Sequence, residues 1–205
     1  MYAHRIPPVA AARTEGNLVE TIRSSWQTIR SERVLGLAVA GSVTYWTIAS
    51  LLGQDILVYA RTVLGLSDTA SVASLGAFGL GVGLGSLLAG KLSGEKVEYG
   101  LIPLDDVLMD LVSALLALLS PGFIGLLVSM SSLGIASGLI VVPINALLQW
   151  RAPADRRGGV IALANVFVFG GVLVGSLSVT LLAQLSFSPE LILSVASLAI
   201  LLGTI

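Results

Sequence analysis

The sequence predicts an all-α membrane protein, built as a bundle of six transmembrane helices. Of its 205 residues, 55% are hydrophobic and only 11% are charged, against about 25% charged residues in a soluble domain. The uncharged residues form long runs, and the basic residues fall into groups between those runs. This composition argues against an ordinary soluble enzyme and against a nucleic-acid-binding protein, which would need a basic surface.

Four uncharged runs, at 34–54, 69–90, 111–150 and 158–189, satisfy the requirement of about 20 residues for one crossing. Ser120-Pro121-Gly122 divides the longest run, because Pro removes a backbone donor and Gly permits a turn. Ser186 to Pro189 ends the last of them, and the final run at 191–205 is shorter. The predicted helices therefore lie near 34–58, 69–90, 103–119, 123–149, 159–185 and 190–205.

The basic residues predict the orientation of these helices. With six crossings, segments 1–33, 91–102 and 150–158 share one side and contain all the lysines and arginines except Arg61. Basic residues accumulate on the cytoplasmic side of membrane proteins. We therefore expect a cytoplasmic N-terminus.

The segment before the first span, 1–33, ends in a predicted amphipathic helix at 17–31. Asn17 and Glu20 have the spacing of a capping box, and Leu18, Ile22, Trp26 and Ile29 recur at helical spacing. Two interpretations are equally compatible with this pattern. The helix lies along the inner face of the membrane, or it packs on the bundle.

Glycines recur four residues apart within the spans. The pairs are Gly79/Gly83, Gly81/Gly85, Gly134/Gly138 and Gly171/Gly175. Small residues at this spacing allow two helix backbones to approach closely. They therefore predict close helix packing, in preference to a nucleotide-binding loop, which would need a preceding strand.

Polar side chains inside the spans are candidates for a substrate path, because such groups are costly in lipid and usually face the bundle or a wet cavity. The candidates are Tyr45, Trp46, Gln54 and Asp55 in the first span, Asn145 and Gln149 in the fourth and Asn165 in the fifth. Pro143 is expected to break the fourth helix near Asn145. The alternative is that these groups only form hydrogen bonds between helices.

No catalytic constellation emerges from the sequence. There are no cysteines and only one histidine, so neither a metal site nor a cofactor is predicted, and we do not expect an enzyme. Asp105, Asp106 and Asp110 cluster where the third span begins. They form either a proton or cation site or a solvated helix start.

Two loop sequences carry a family resemblance. Gly85 to Gly94, which contains Gly90 and Lys91, resembles the loop between helices 8 and 9 of the major facilitator superfamily, although the usual acid and arginine are absent. Pro153 to Gly158, which contains Arg156 and Arg157, resembles the connection between helices 10 and 11 of that superfamily. Within it, the stretches AGKLSGEKVEYGLIPL and VPINALLQWRAPADRRGGVIALANVF are most similar to bacterial lysophospholipid transporters.

This resemblance implies the second half of a twelve-helix major facilitator fold, located in a bacterial inner membrane. It implies transport of a lysophospholipid by alternating access, with membrane lipid around the chain and no nucleic-acid partner. The partner would be the missing N-terminal six-helix half or a second copy, and the chain alone would be inactive. Members are sometimes fused to acyltransferase or acyl-carrier-protein synthetase domains. The membrane part of such an enzyme, or a drug or sugar transporter of the superfamily, are therefore the alternatives.

Overall fold

The computed structural model describes residues 17–93, 111, 112, 115, 122–189 and 191–194. Its helices are α1 (Leu18–Ser31), α2 (Arg33–Thr62), α3 (Asp68–Ser93), α4 (Phe123–Arg151) and α5 (Arg157–Gln184). Within the described part of the chain, α2 to α5 are long and apolar enough to cross a membrane. Most of the predicted helices at 103–119 and 190–205 lies outside the described residues, as do Asp105, Asp106, Asp110 and Gly94, so the count of six stays a prediction.

Helices α3 and α4 pack side by side and run parallel. A Cβ atom added to Gly81 would fall on the backbone of Ser131 and Gly134, and one added to Gly85 would fall on the backbone of Ile135. Gly138 in turn faces the backbone of α3 near Gly85. Only glycine permits this approach, as the spacing of these glycines predicts.

Helices α2 and α5 form a second parallel pair. A Cβ atom at Gly171 would lie 2.5 Å from Thr47 Oγ1 and 2.9 Å from the Val43 carbonyl oxygen, and one at Gly175 would fall on Thr47 and Ser50. The Ser50 hydroxyl donates to the Val172 carbonyl at 3.1 Å. The close contact therefore also brings a polar side chain within reach of the neighbouring backbone.

The glycines at 79 and 83 do not behave in this way. A Cβ atom at Gly79 or Gly83 would meet no atom of the described residues within 4 Å. Among the described residues they therefore have no partner helix, although their spacing equals that of Gly81 and Gly85. Toward the span predicted at 103–119, most of which lies outside the described residues, their role in helix packing stays a prediction. They lie on a different face of α3, and spacing alone does not show which face meets the neighbour.

The ends of the helices carry the charges. Arg151 at the end of α4 lies 3.5 Å from Glu32 at the start of α2, so the groups around Arg33 and Arg157 share one end of the bundle with Arg151. We call it the basic end. Because α3 runs parallel to α4, Lys91 near the end of α3 lies there too. At the opposite end, Arg61 pairs with Asp68 at 3.1 Å, and this arrangement agrees with the charge pattern of the sequence.

Helix α1 joins α2 through a bend at one residue, Glu32, whose backbone is extended. The Glu32 carboxylate accepts the Leu35 N–H at 3.1 Å and so caps α2. The face of α1 that is buried on the bundle carries Ser25, Thr28 and Ile29. Ser25 lies against Gly159 at the start of α5, so α1 packs on the bundle at the basic end.

Of the apolar row of α1, only Ile29 is buried. Leu18 is 73% exposed and Val19 is 67% exposed, while Ile22 and Trp26 are about half exposed. The two interpretations of this helix are therefore compatible. It packs through Ser25, Thr28 and Ile29, and the exposed part of the apolar row remains available to another environment.

Pro143 does not break α4, contrary to the sequence expectation. The helix is continuous from Phe123 to Arg151 with Pro143 inside it. Proline removes one N–H from the helix and leaves the Leu139 carbonyl without its usual donor. Packing against neighbouring helices allows membrane helices to tolerate this loss, and Pro143 is buried.

Candidate functional site

A cavity of about 390 Å³ opens between α2, α4 and α5. It lies where two apolar clusters meet, so the neighbouring side chains are fixed by packing. Its lining is mostly aliphatic and aromatic and contains no charged side chain among the described residues. The lining residues are Ser42, Tyr45, Trp46, Val141, Ile144, Asn145, Leu148, Ala164, Asn165, Val168, Phe169 and Val172.

Two carboxamides face this cavity from different helices. Asn145 on α4 and Asn165 on α5 both line it, and both are exposed. Among the described residues, no protein group forms a hydrogen bond with either amide. Each amide therefore offers two donors and one acceptor oxygen to whatever enters the cavity.

Two adjacent aromatic residues of α2 complete this polar side of the cavity. Tyr45 is 8% exposed and belongs to the core around Leu52 and Ile56, whereas Trp46 is 39% exposed. Their rings meet edge to face, with centroids 5.6 Å apart. The buried Tyr45 therefore fixes the position of Trp46, whose indole has one N–H to donate.

Three predicted path residues lie elsewhere. Asp55 is fully buried and lies in the core with Leu52, Ile56 and Tyr59, while Gln54 is exposed. Both lie about 12–15 Å along α2 from the pair of aromatic residues, at 1.5 Å per residue. Gln149 is exposed one turn beyond Asn145, and none of the three lines this cavity.

Most of the lining was missed by the sequence analysis, including three positions that helical spacing relates to predicted residues. Ser42 precedes Trp46 by one turn, and Val168 and Val172 follow Asn165 by one and two turns. The Ser42 hydroxyl is engaged by its own helix, because it donates to the Ala38 carbonyl at 2.8 Å. Helical spacing from Trp46 and Asn165 was the signal that would have found them.

The loop motifs lie at the basic end. In the connection between α4 and α5, the Arg156 N–H donates to the Pro153 carbonyl at 3.0 Å. The Arg156 side chain pairs with its neighbour Asp155 at 3.5 Å, and Arg157 and Gly158 begin α5 in an exposed position. Gly90 and Lys91 are exposed near the end of α3.

A family model described as Major Facilitator Superfamily matches residues 1–176. The chain belongs to that superfamily. Neither the comparison with curated proteins nor the comparison with solved structures finds a match.

Membership in the Major Facilitator Superfamily makes this chain a multi-pass membrane protein of a transporter family. The sequence prediction of a major facilitator transporter with several membrane spans is therefore confirmed. The lysophospholipid group, the fusion to an enzyme domain and the inner-membrane location are finer statements that the match does not reach.

Proposed function

We propose that this chain is one half of a major facilitator transporter that carries a lysophospholipid across the bacterial inner membrane. One observation carries the proposal: the cavity between α2, α4 and α5 combines two carboxamides and an indole N–H with an apolar wall. Such a lining suits an amphiphile with a polar head and an acyl chain, because each part meets groups of its own kind.

The chemistry of the lining favours a headgroup without large net charge. Asn145 and Asn165 can donate to phosphate oxygens and accept from a hydroxyl or ammonium group. The described lining contains no ionised side chain to balance a fully charged solute. Val168, Phe169 and Val172 on α5 extend the apolar wall from Asn165 and would contact the acyl chain.

The cavity volume supports the role of a half-transporter. Small-molecule sites span about 300–1,000 Å³, and 390 Å³ lies near the lower end of that range. Alternating access works by rocking two halves about a shared site. We infer that the facing wall comes from a first six-helix half or from a second copy of the chain.

Uptake of labelled lysophospholipid into proteoliposomes tests the proposal. Vesicles with both halves are expected to take up the lipid, and vesicles with this chain alone are not. Replacing Asn145 and Asn165 by Ala should abolish uptake by the assembled protein, while Gln149→Ala, an amide on α4 outside the cavity, should leave it intact. Transport of a sugar or drug without lysophospholipid would contradict the proposed substrate.

Uptake by the chain alone would contradict the need for a first half. Native mass spectrometry in detergent would then decide between two origins of the facing wall. A dimer would identify a second copy as its source, whereas a monomer would show that six helices are sufficient and overturn the half-transporter proposal.

A further inference from the structure

A second cleft, of about 650 Å³, lies between α1, α2 and α5 at the basic end. Its apolar surface includes Ile29, Val39, Val43 and Phe167, and it shares no lining residue with the candidate substrate cavity. Trp26 stands at its edge and meets Phe167 edge to face at 5.6 Å. The cleft is therefore a separate feature with a preformed aromatic wall.

Arg30 and Arg33 give the mouth of this cleft a positive charge. The acidic residue beside them, Glu32, is engaged elsewhere: it caps α2 at the Leu35 N–H and pairs with Arg151. Within the part of the chain that the structure describes, neither Arg30 nor Arg33 forms an ion pair. Both side chains are exposed and so offer forked donors that match a phosphate.

The remaining wall of the cleft points to a lipid. Below the arginines, Leu37 is 62% exposed, and Ala40 follows it on α2. This surface lies in the first turns of a helix that is apolar enough to cross the membrane. A phosphate group at the arginines would therefore be continuous with acyl chains along α2.

The exposed row of α1 supports the same environment. Leu18, Val19 and Ile22 project from the helix that forms one wall of the cleft. Trp side chains with one apolar and one polar edge concentrate at the level of lipid headgroups, and Trp26 continues this row. Helix α1 thus has the features of a helix that lies in the interface while it is held to the bundle.

We propose that the cleft between α1, α2 and α5 binds an anionic diacyl phospholipid, with the lipid phosphate on Arg30 and Arg33 and an acyl chain along Leu37 and Ala40. Basic pockets at the ends of membrane helices commonly bind acidic headgroups. The inference goes beyond the proposed transport function and does not depend on it, because the two cavities are separate.

Tryptophan quenching tests this site directly. Replacing Trp46 and Trp150 by Phe leaves Trp26 as the only tryptophan. In nanodiscs that contain a minor fraction of brominated phosphatidylglycerol, Trp26 fluorescence is expected to fall at least twofold more than with the same fraction of brominated phosphatidylcholine. Replacing both Arg30 and Arg33 by Gln should equalise the two lipids.

Matched variants distinguish lipid binding in this cleft from a general attraction of anionic lipid to basic residues. Arg23→Gln removes an exposed charge of α1 that does not line the cleft, and the preference for phosphatidylglycerol should persist. Ala40→Phe fills the cleft and should abolish the preference, whereas Ala162→Phe, on an exposed position of α5 outside both cavities, should not.

Three results would overturn the proposal. These are equal quenching by the two lipids in the single-tryptophan protein, an equal loss of preference in Arg23→Gln, and full competition by glycerol phosphate without acyl chains. The last result would mean that the arginines bind phosphate without using the apolar wall.

Discussion

Gly85→Ala is expected to destabilise the protein, whereas Gly83→Ala, two residues earlier on the same helix, is not. A Cβ atom at Gly85 would lie 2.8 Å from the Ile135 carbonyl carbon and 2.9 Å from the Ile135 Cα. Carbon atoms pack best at about 3.5–4.0 Å. Helices α3 and α4 would therefore have to separate by roughly 0.6–1.2 Å, because backbone atoms cannot rotate away from the added methyl group.

The magnitude follows from two opposing terms. Overpacking costs about 1–3 kcal/mol, and the rigid backbone contact places Gly85→Ala near 3 kcal/mol. Alanine recovers up to about 1 kcal/mol through its higher helix propensity, which leaves a net loss of about 2 kcal/mol. Gly83 faces no described atom within 4 Å, so its replacement gains about 1 kcal/mol and the two variants should differ by about 3 kcal/mol.

Equilibrium unfolding by titration with sodium dodecyl sulfate in mixed micelles measures this difference, with the free energy of unfolding extrapolated to the same detergent composition for both variants. Equal free energies of unfolding for Gly85→Ala and Gly83→Ala would refute the parallel contact between α3 and α4. A loss in Gly83→Ala instead would mean that the opposite face of α3 is the packed one.

Three further predictions use the same titration or its salt dependence. Gly175→Ala should lower the free energy of unfolding by about 1–3 kcal/mol, because its Cβ would fall on α2. Gly170→Ala, which meets no described atom within 4 Å, should not, and equal effects would contradict the α2–α5 contact. Glu32→Ala should lower the free energy of unfolding by about 1–2 kcal/mol through loss of the cap and the ion pair, and Glu32→Gln, which keeps an acceptor oxygen for the cap, should retain most of that stability. An unchanged free energy of unfolding in both variants would refute the cap. Asp68→Asn should cost less than about 1 kcal/mol and lose that effect at high salt, because the pair with Arg61 is exposed; a larger, salt-independent loss would count against a surface pair.

Much of the helix packing could be predicted from the sequence, but not which face of each helix takes part. Gly81 and Gly85 have the same spacing as Gly79 and Gly83, yet only the first pair meets α4. Helical spacing in α1 left two interpretations open, a helix along the membrane face or a helix packed on the bundle. It did not predict that Ser25 would form the contact with the bundle, because that contact depends on the absence of a side chain at Gly159 on a distant segment.

For the candidate site, too, the sequence identified residues without showing what each one meets. Asn145 and Asn165 were recognisable as polar residues in apolar helices, and the structure brings both to one cavity with Trp46. Asp55 was selected by the same criterion and is buried in the core instead. Polarity identifies residues that need a partner or a cavity, but only the packing of α2 against α4 and α5 shows which of these each residue meets.

Protection of single cysteines tests most directly the claim that this cavity holds the substrate. The chain has no cysteine, so Val168→Cys and Val172→Cys, which line the cavity and leave both amides in place, can be labelled with a maleimide in native membranes without background. Lysophospholipid is expected to slow labelling at both positions at least fivefold and to leave Leu173→Cys, on an exposed position of α5 outside the cavity, unchanged. Labelling rates that lysophospholipid leaves unaltered at positions 168 and 172, or that fall equally at 173, would contradict the account.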